Sequence, residues 1–247
     1  MVLTCEVGGI DKKLYICILI FKVMKIVFIS DTHSKHNVLT SKAYDNILGE
    51  GDILVHAGDC TNLGKTHEVK EFLDWFSETP FTHKVFIAGN HDWGFVKNHD
   101  IAPEYKEKGV HYLFDSMVEV DGVKIYGSPW QPEFYDWAFN LPRGEKLAEK
   151  WSKIPEGLDI LITHGPAHGM VDHTIQGLNV GCEDLFEKIM EVQPKIHVCG
   201  HIHWAYGQKS FHGVEFLNAS VLNERYQYQN KPIVIEYNPE TKEIEYV

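Results

Sequence analysis

From Met24 onward the chain alternates short runs of β-branched and aromatic residues with stretches whose apolar positions recur at helical spacing. The runs predict strands over residues 25–30, 53–57, 84–88, 123–126, 160–163, 196–199, 215–218 and 232–237. The helical spacing predicts helices over residues 66–78, 144–153 and 182–191, the first with Val69, Phe72, Leu73 and Phe76 on one face. This alternation is the pattern of an α/β domain. No linker-like stretch or internal repeat divides it, so one domain is expected over residues 24–247, preceded by an N-terminal extension, residues 1–23. The apolar part of that extension, residues 14–23, is interrupted by Lys22 and falls short of the ~20 residues that span a membrane. A polar start carrying Glu6 and Asp11, with no small-x-small site downstream, also argues against a signal peptide. An extra strand is expected there, and Met24 is an equally suitable initiator.

Five short polar clusters follow strand-type runs, and they carry the chemistry. Asp31-Thr32-His33 follows the first run; in extended geometry residues i and i+2 share a face, so a carboxylate and an imidazole can meet one ion. Gly58-Asp59 follows the second and offers a carboxylate whose two oxygens can bridge two cations, with a glycine where backbone and metals must approach closely. Gly89-Asn90-His91-Asp92 adds a neutral amide oxygen and a titratable ring, Thr163-His164-Gly165-Pro166 one imidazole, and Gly200-His201-Ile202-His203 two more at i, i+2. Each cluster alone reads equally well as a turn. Five in order do not, because ligands of open α/β sheets gather outside the carboxyl ends of strands. The count divides into Asp31, His33 and His203 for one metal ion and Asn90, His164 and His201 for the other, with Asp59 between them. Two ions ~3.5–4 Å apart polarise a phosphoryl group and make hydroxide from bound water at neutral pH. The mixed carboxylate, amide and imidazole set suits Mn, with Fe or Zn as alternatives, better than Ca.

Composition narrows the partners. A net charge of -12 repels polyanions, and no Lys/Arg run offers a groove, so nucleic acid is not an expected partner. Five cysteines, odd in number and without a C-x-x-C pair, suggest neither disulfides nor a cysteine zinc site, and point to a reducing cytoplasm. Cys60 beside Asp59 reads as a small buried residue. Arg143 reads as structural or solvated, Trp93 and Trp130 as packing or surface residues, His168 and His173 as supporting or solvated ones; no substrate-binding residue is assigned.

The five blocks together resemble those of the calcineurin-like metallophosphoesterase superfamily, over residues 24 to about 240. Gly127-Ser128-Pro129-Trp130, the run from Phe139 to Gly144, the run from Ile154 into Thr163-His164-Gly165-Pro166, and Asn218-Ala219-Ser220 resemble more closely the brain-type metallophosphoesterase-domain proteins, cyclic-nucleotide and phosphodiester hydrolases of modest activity. The resemblance implies a four-layer αββα sandwich with two mixed β-sheets, metals at the sheet ends, and His91 donating a proton to the leaving oxygen or steadying the phosphate. Some brain-type members replace the first His of the fifth block; His201 is retained here. The protein serine/threonine phosphatases of the superfamily carry Asp-Arg after the second block, and purple acid enzymes a Tyr three residues after the bridging Asp. Here the segment reads Asp59-Cys60-Thr61-Asn62, and neither subclass fits. The expected activity is metal-dependent hydrolysis of a small phosphodiester or cyclic nucleotide by a metal-bridging hydroxide. The alternatives are a phosphomonoesterase and a low-turnover nucleotide- or metal-binding regulatory protein.

Overall fold

The structure, a computed structural model, describes residues 23–247. Its strands and helices follow in the order β1 (Met24–Ile29), β2 (Gly51–His56), α1 (Thr66–Glu78), β3 (Phe81–Phe86), α2 (Pro103–Glu107), β4 (Val110–Tyr112), β5 (Ser116–Val120) and β6 (Val123–Ser128). Then come β7 (Gln131–Pro132), β8 (Asn140–Leu141), α3 (Glu145–Trp151), β9 (Ile160–Thr163), α4 (Glu183–Val192), β10 (Ile196–Cys199), β11 (Gly207–Phe211), β12 (Val214–Asn218), β13 (Ile233–Tyr237) and β14 (Ile244–Tyr246). Two six-stranded mixed sheets result, ordered β14-β13-β1-β2-β3-β4 and β11-β12-β10-β9-β6-β5. In each, four consecutive strands are parallel: β1 to β4 in the first, β12, β10, β9 and β6 in the second.

The parallel strands read as continuous apolar runs because both of their faces are buried. On β1, Ile26 and Phe28 join Val55, Val85, Ile125, Ile160, Val198 and Leu217 in the layer between the sheets. Val27 and Ile29, one residue out of phase, face Phe72, Leu73 and Phe76 of α1 on the outer side. The second sheet repeats the device, with Leu161 and Phe216 turned towards Leu147 and Trp151 of α3 and Leu185 and Ile189 of α4. Helices thus cover the outer face of each sheet, giving the four-layer αββα sandwich.

All eight expected strands and all three expected helices are present, with ends displaced by a residue or a few. Strands β4, β5, β7, β8, β11 and β14 and helix α2 were not expected; β7 and β8 are two residues each and pair only with one another. β4, β5, β11 and β14 lie at sheet edges, where exposed faces remove the apolar run: Ser116–Val120 buries only Val120, and no residue of Gly207–Phe211 is fully buried. The extra strand expected within residues 14–23 lies outside the described residues, Val23 excepted. Among the described residues no helix is long and apolar enough to cross a membrane.

The helix layer over the first sheet depends on Phe72. It is fully buried, stacks on Phe76 at 5.0 Å and meets Phe86 and the His56 ring edge-on at 5.3 and 5.2 Å. Phe72→Ala is expected to cost about 3–5 kcal/mol in chemical denaturation, whereas Met117→Ala, 50% exposed on an edge strand, should stay within about 0.5 kcal/mol.

Candidate metal centre

The ends of β1, β2, β3, β9 and β10 lie along one edge of the sandwich, and backbone pairing continues past them. Asp31 N donates to Gly58 O, His33 N to Asp59 O, and Gly200 N to His164 O, each at 3.0 Å. The sheets are joined there as well: Val221 N, just past β12, donates to Ser30 O at 3.0 Å. The five polar clusters therefore share one framework rather than five independent turns.

That framework brings seven expected residues together. One oxygen or nitrogen from each of Asp31, His33 and His203 lies within 4.8 Å of the others, and the same holds for Asp59, His164 and His201. Asn90 joins the second group, its Oδ1 3.0 Å from His164 Nε2. Asp59 stands between the groups, its Oδ2 3.3 Å from His164 Nε2 and 3.7 Å from His33 Nε2. His91 is adjacent too, and forms a third such group with His33 and Asp59.

Hydrogen bonds behind the rings set which nitrogen faces this centre. His164 Nδ1 donates to Ala57 O and His203 Nδ1 to Asn223 O, both at 2.9 Å, so each presents Nε2. The electrostatics favour a cation. Burial opposes ionisation of Asp31 and Asp59, but His203 hydrogen-bonded to the first, and His164 beside the second, hold both carboxyls below the usual range. Burial would likewise discharge His164 and His203; Asp59 on one and Asp31 on the other instead raise each to about 9. Burial dominates at His33 and His201, lowered to about 4 and about 3, which leaves neutral rings with a lone pair to give. Two buried carboxylates, the neutral rings of His33 and His201, an amide oxygen, and the rings of His164 and His203, whose Nε2 protons a cation would replace, make a donor set that fits a pair of divalent ions.

The space is built for close approach. A Cβ on Gly200 would lie 2.0 Å from Asp31 Oδ2, and one on Gly89 2.3 Å from Asp59 Oδ1, so any side chain there would displace a carboxylate. Asp31, His33, Asp59 and His201 all adopt left-handed backbone, with φ of 56°, 41°, 54° and 65°, a cost that the surrounding pairing sustains.

Two supporting residues escape the sequence reading. Asp92, fully buried, accepts from Cys60 N, Thr61 N, Thr61 Oγ1 and Gly89 N at 3.1, 2.9, 2.6 and 2.8 Å, clamping the second cluster to the third. Burial and the charge of Asp59 push its pKa up to about 6. Ser220 Oγ donates to Asp31 Oδ2 at 2.8 Å and fixes that carboxylate from the second sheet.

A cleft of about 350 Å³ opens over the centre, lined by His33, Asp59, Asn90, His91, His201 and His203 and collared by Phe134, Tyr135, Trp137 and Tyr226. Trp137 stacks on His91 at 4.2 Å, while His91 Nδ1 donates to Asn62 O at 2.7 Å. The collar was also missed; its signal is the dense group Phe134, Tyr135, Trp137 and Phe139 in a stretch without strand or helix period. Trp93 and Trp130 are not part of the lining: Trp130 Nε1 donates to Asp115 and its ring lies under the Lys150 ammonium. Arg143 is structural, donating to Val180 O and Gly181 O at 2.7 Å and pairing with Glu183. His168 lies 3.8 Å from Glu183, away from the cleft, and His173 sits in a hairpin bridge to Asn179. Cys60 is buried, with its thiol shifted far up by burial and neighbouring carboxylates, as expected of a packing residue.

The chain matches the calcineurin-like phosphoesterase superfamily domain over residues 24–236. It is 42% identical over 236 residues to human metallophosphoesterase domain-containing protein 1, covering 86% of this chain and 70% of that protein. It is 36% identical over 225 residues to a UPF0046 protein of Caenorhabditis elegans, covering 85% and 74%. Among solved structures, the fold is similar to that of a Thermus thermophilus protein (TM-score 0.57, 14% identity, 92% of this chain and 99% of that one). It is also similar to that of the phosphopantetheinyl hydrolase of Mycobacterium tuberculosis (TM-score 0.52, 17% identity, 90% and 95%). Motifs, fold and relatives agree, and the chain belongs to the calcineurin-like phosphoesterase superfamily, a metal-dependent family of phosphoric ester hydrolases.

Proposed function

We propose that the protein is a dinuclear-metal phosphodiesterase acting on small phosphodiesters or cyclic nucleotides. The observation that carries this reading is the gathering of seven donor residues in two sets about Asp59, with His91 beside them at the floor of an aromatic cleft. Asp31, His33 and His203 would hold one ion and Asn90, His164 and His201 the other, with Asp59 shared. Manganese is the ion proposed, iron or zinc the alternatives. When bound, the ions supply positive charge to the phosphoryl oxygens and a nucleophile at neutral pH.

The chain's own residues do the rest. Ala57 and Asn223 carbonyls keep the His164 and His203 rings in register, and Ser220 with the His201 amide, 3.1 Å from both Asp31 oxygens, keeps that carboxylate in place. His91 is held by the Asn62 carbonyl at Nδ1 and by the face of Trp137, which leaves Nε2 to pass a proton to the departing alkoxide. The atoms balance as addition of water: one oxygen bonds to phosphorus, the ester oxygen leaves with a proton, and a phosphomonoester and an alcohol result. The phenyl, phenol and indole rings of the collar suit an organic leaving group. The described cysteines, Cys60, Cys182 and Cys199, are buried free thiols, which supports a reducing compartment such as the cytoplasm.

Asp59→Asn is expected to lose metal by elemental analysis and to lower kcat on an aryl phosphodiester by more than the roughly 10–100-fold typical of losing a supporting partner. A variant turning over as fast as the wild type would overturn the reading. Chelation of the wild type should abolish the same activity and lower its Tm, both restored by Mn(II). His91→Asn should keep its metal but lose about 10²–10⁴-fold in kcat on alkyl diesters, whose leaving group needs a proton, and far less on p-nitrophenyl diesters.

A further inference from the structure

A second recess, of about 300 Å³, adjoins the first cleft and shares His201, His203 and Tyr226 with it. Its remaining lining is Thr174, Ile175, Gln176, Ile202, Trp204 and Glu224. Trp204 is 50% exposed and Ile175 61%, and they offer apolar surface immediately beside proposed metal ligands. The wall carrying Ile175 is firmly built. Thr174 N donates to Leu178 O at 2.9 Å, Asp172 accepts from Gly169 N and Gly181 N at 2.9 Å, and Arg143 binds the Val180 and Gly181 carbonyls. Its one acidic residue is Glu224, which forms no salt bridge among the described residues.

A phosphodiester carries two organic groups, and the two recesses flank one centre. His91 and Trp137, proposed to serve the departing oxygen, line only the first recess. The leaving group therefore belongs there, and the group that stays on phosphorus must point elsewhere. We propose that the second recess is the subsite for this retained group. It takes a flat or apolar substituent, packed on Trp204 and Ile175, and Glu224 disfavours one that bears negative charge. The inference rests on the phosphodiesterase reading and assigns its substrate class: diesters with an organic, non-anionic second arm, rather than polyphosphorylated ones. Trp204 and Glu224 are specificity residues in this scheme.

The test compares full-length, Mn-loaded protein on p-nitrophenyl phenyl phosphate and p-nitrophenyl methyl phosphate, which share a leaving group and differ in the retained one. Trp204→Ala should lower the phenyl-to-methyl ratio of kcat/KM by about 3- to 10-fold, mainly through KM, as expected for loss of one ring contact. Glu224→Gln should raise the relative rate on the 4-carboxyphenyl analogue, and Met117→Ala on a distant edge strand should change no ratio. Ratios unmoved by Trp204→Ala, or both substrates losing equally, would overturn the subsite. If the wild type hydrolyses neither diester, the phosphodiesterase reading fails on its own. The subsite is then decided by calorimetry with phenylphosphonate and methylphosphonate: a preference for phenyl that Trp204→Ala removes supports it, and an unchanged preference rejects it.

Discussion

Two carboxylates, Asp31 and Asp59, stand with at most 2% of their surface exposed at the seam between two sheets, and the rest of the site follows from keeping them ionised there. A buried carboxylate without partners costs several kcal/mol, so the seam must supply positive charge and donors. Backbone amides of His91 and His201, the hydroxyl of Ser220 and the rings of His164 and His203 provide part of that compensation. They come from both sheets, which makes the electrostatic demand of the centre also a cross-link between them. The same demand selects cations: a position that raises two buried imidazoles to about 9 is one where added positive charge is stabilised.

The geometry sustaining that demand is costly locally. Four of the donor residues sit in left-handed backbone, and two glycines admit carboxylate oxygens at distances no Cβ would permit. Such features persist where the surroundings over-determine them. Here the surroundings are the parallel ladder carried past the strand ends and the Asp92 clamp, whose carboxylate takes up four donors from two loops.

Most of this was legible in the sequence where it depends on period and residue type. Ile26, Val27, Phe28 and Ile29 announce a strand buried on both faces, and Asp31 and His33 read as ligands by type and position behind it; the extended i, i+2 geometry expected for them is not the one adopted, since both take left-handed backbone after the strand ends at Ile29. What escaped depends on tertiary placement. Edge strands such as Ser116–Val120 lack the apolar run that burial imposes on central ones. Asp92 looked like part of a turn, since its four donors lie up to 32 residues away. The collar escaped for the same reason: Trp130 and Trp93 were rightly read as packing or surface residues, whereas Phe134, Tyr135 and Trp137 come from a loop without period, pinned by Asn140 to the Phe134 and Tyr135 carbonyls and by Ala138 N to Asn90 O.

The net charge of -12 is at odds with binding a phosphate ester until the charges are placed. No Lys or Arg lines the cleft among the described residues, and Arg143, the natural phosphate clamp by type, is spent on the Val180 and Gly181 carbonyls. In the proposed reaction, attraction for the phosphoryl group therefore resides in the two ions, held within a few ångströms by carboxylates, and fades within a Debye length of about 8–10 Å. Beyond that radius the net charge of -12 makes the average surface repel anions. A ligand with a single phosphate meets only the attractive centre, while its organic groups meet Phe134, Tyr135 and Trp137. A polyanion must carry further charges into the repulsive field. On the proposed reading, a preference for small esters over nucleic acid would follow from placing positive charge at the metal centre, with no Lys or Arg among the residues lining the cleft.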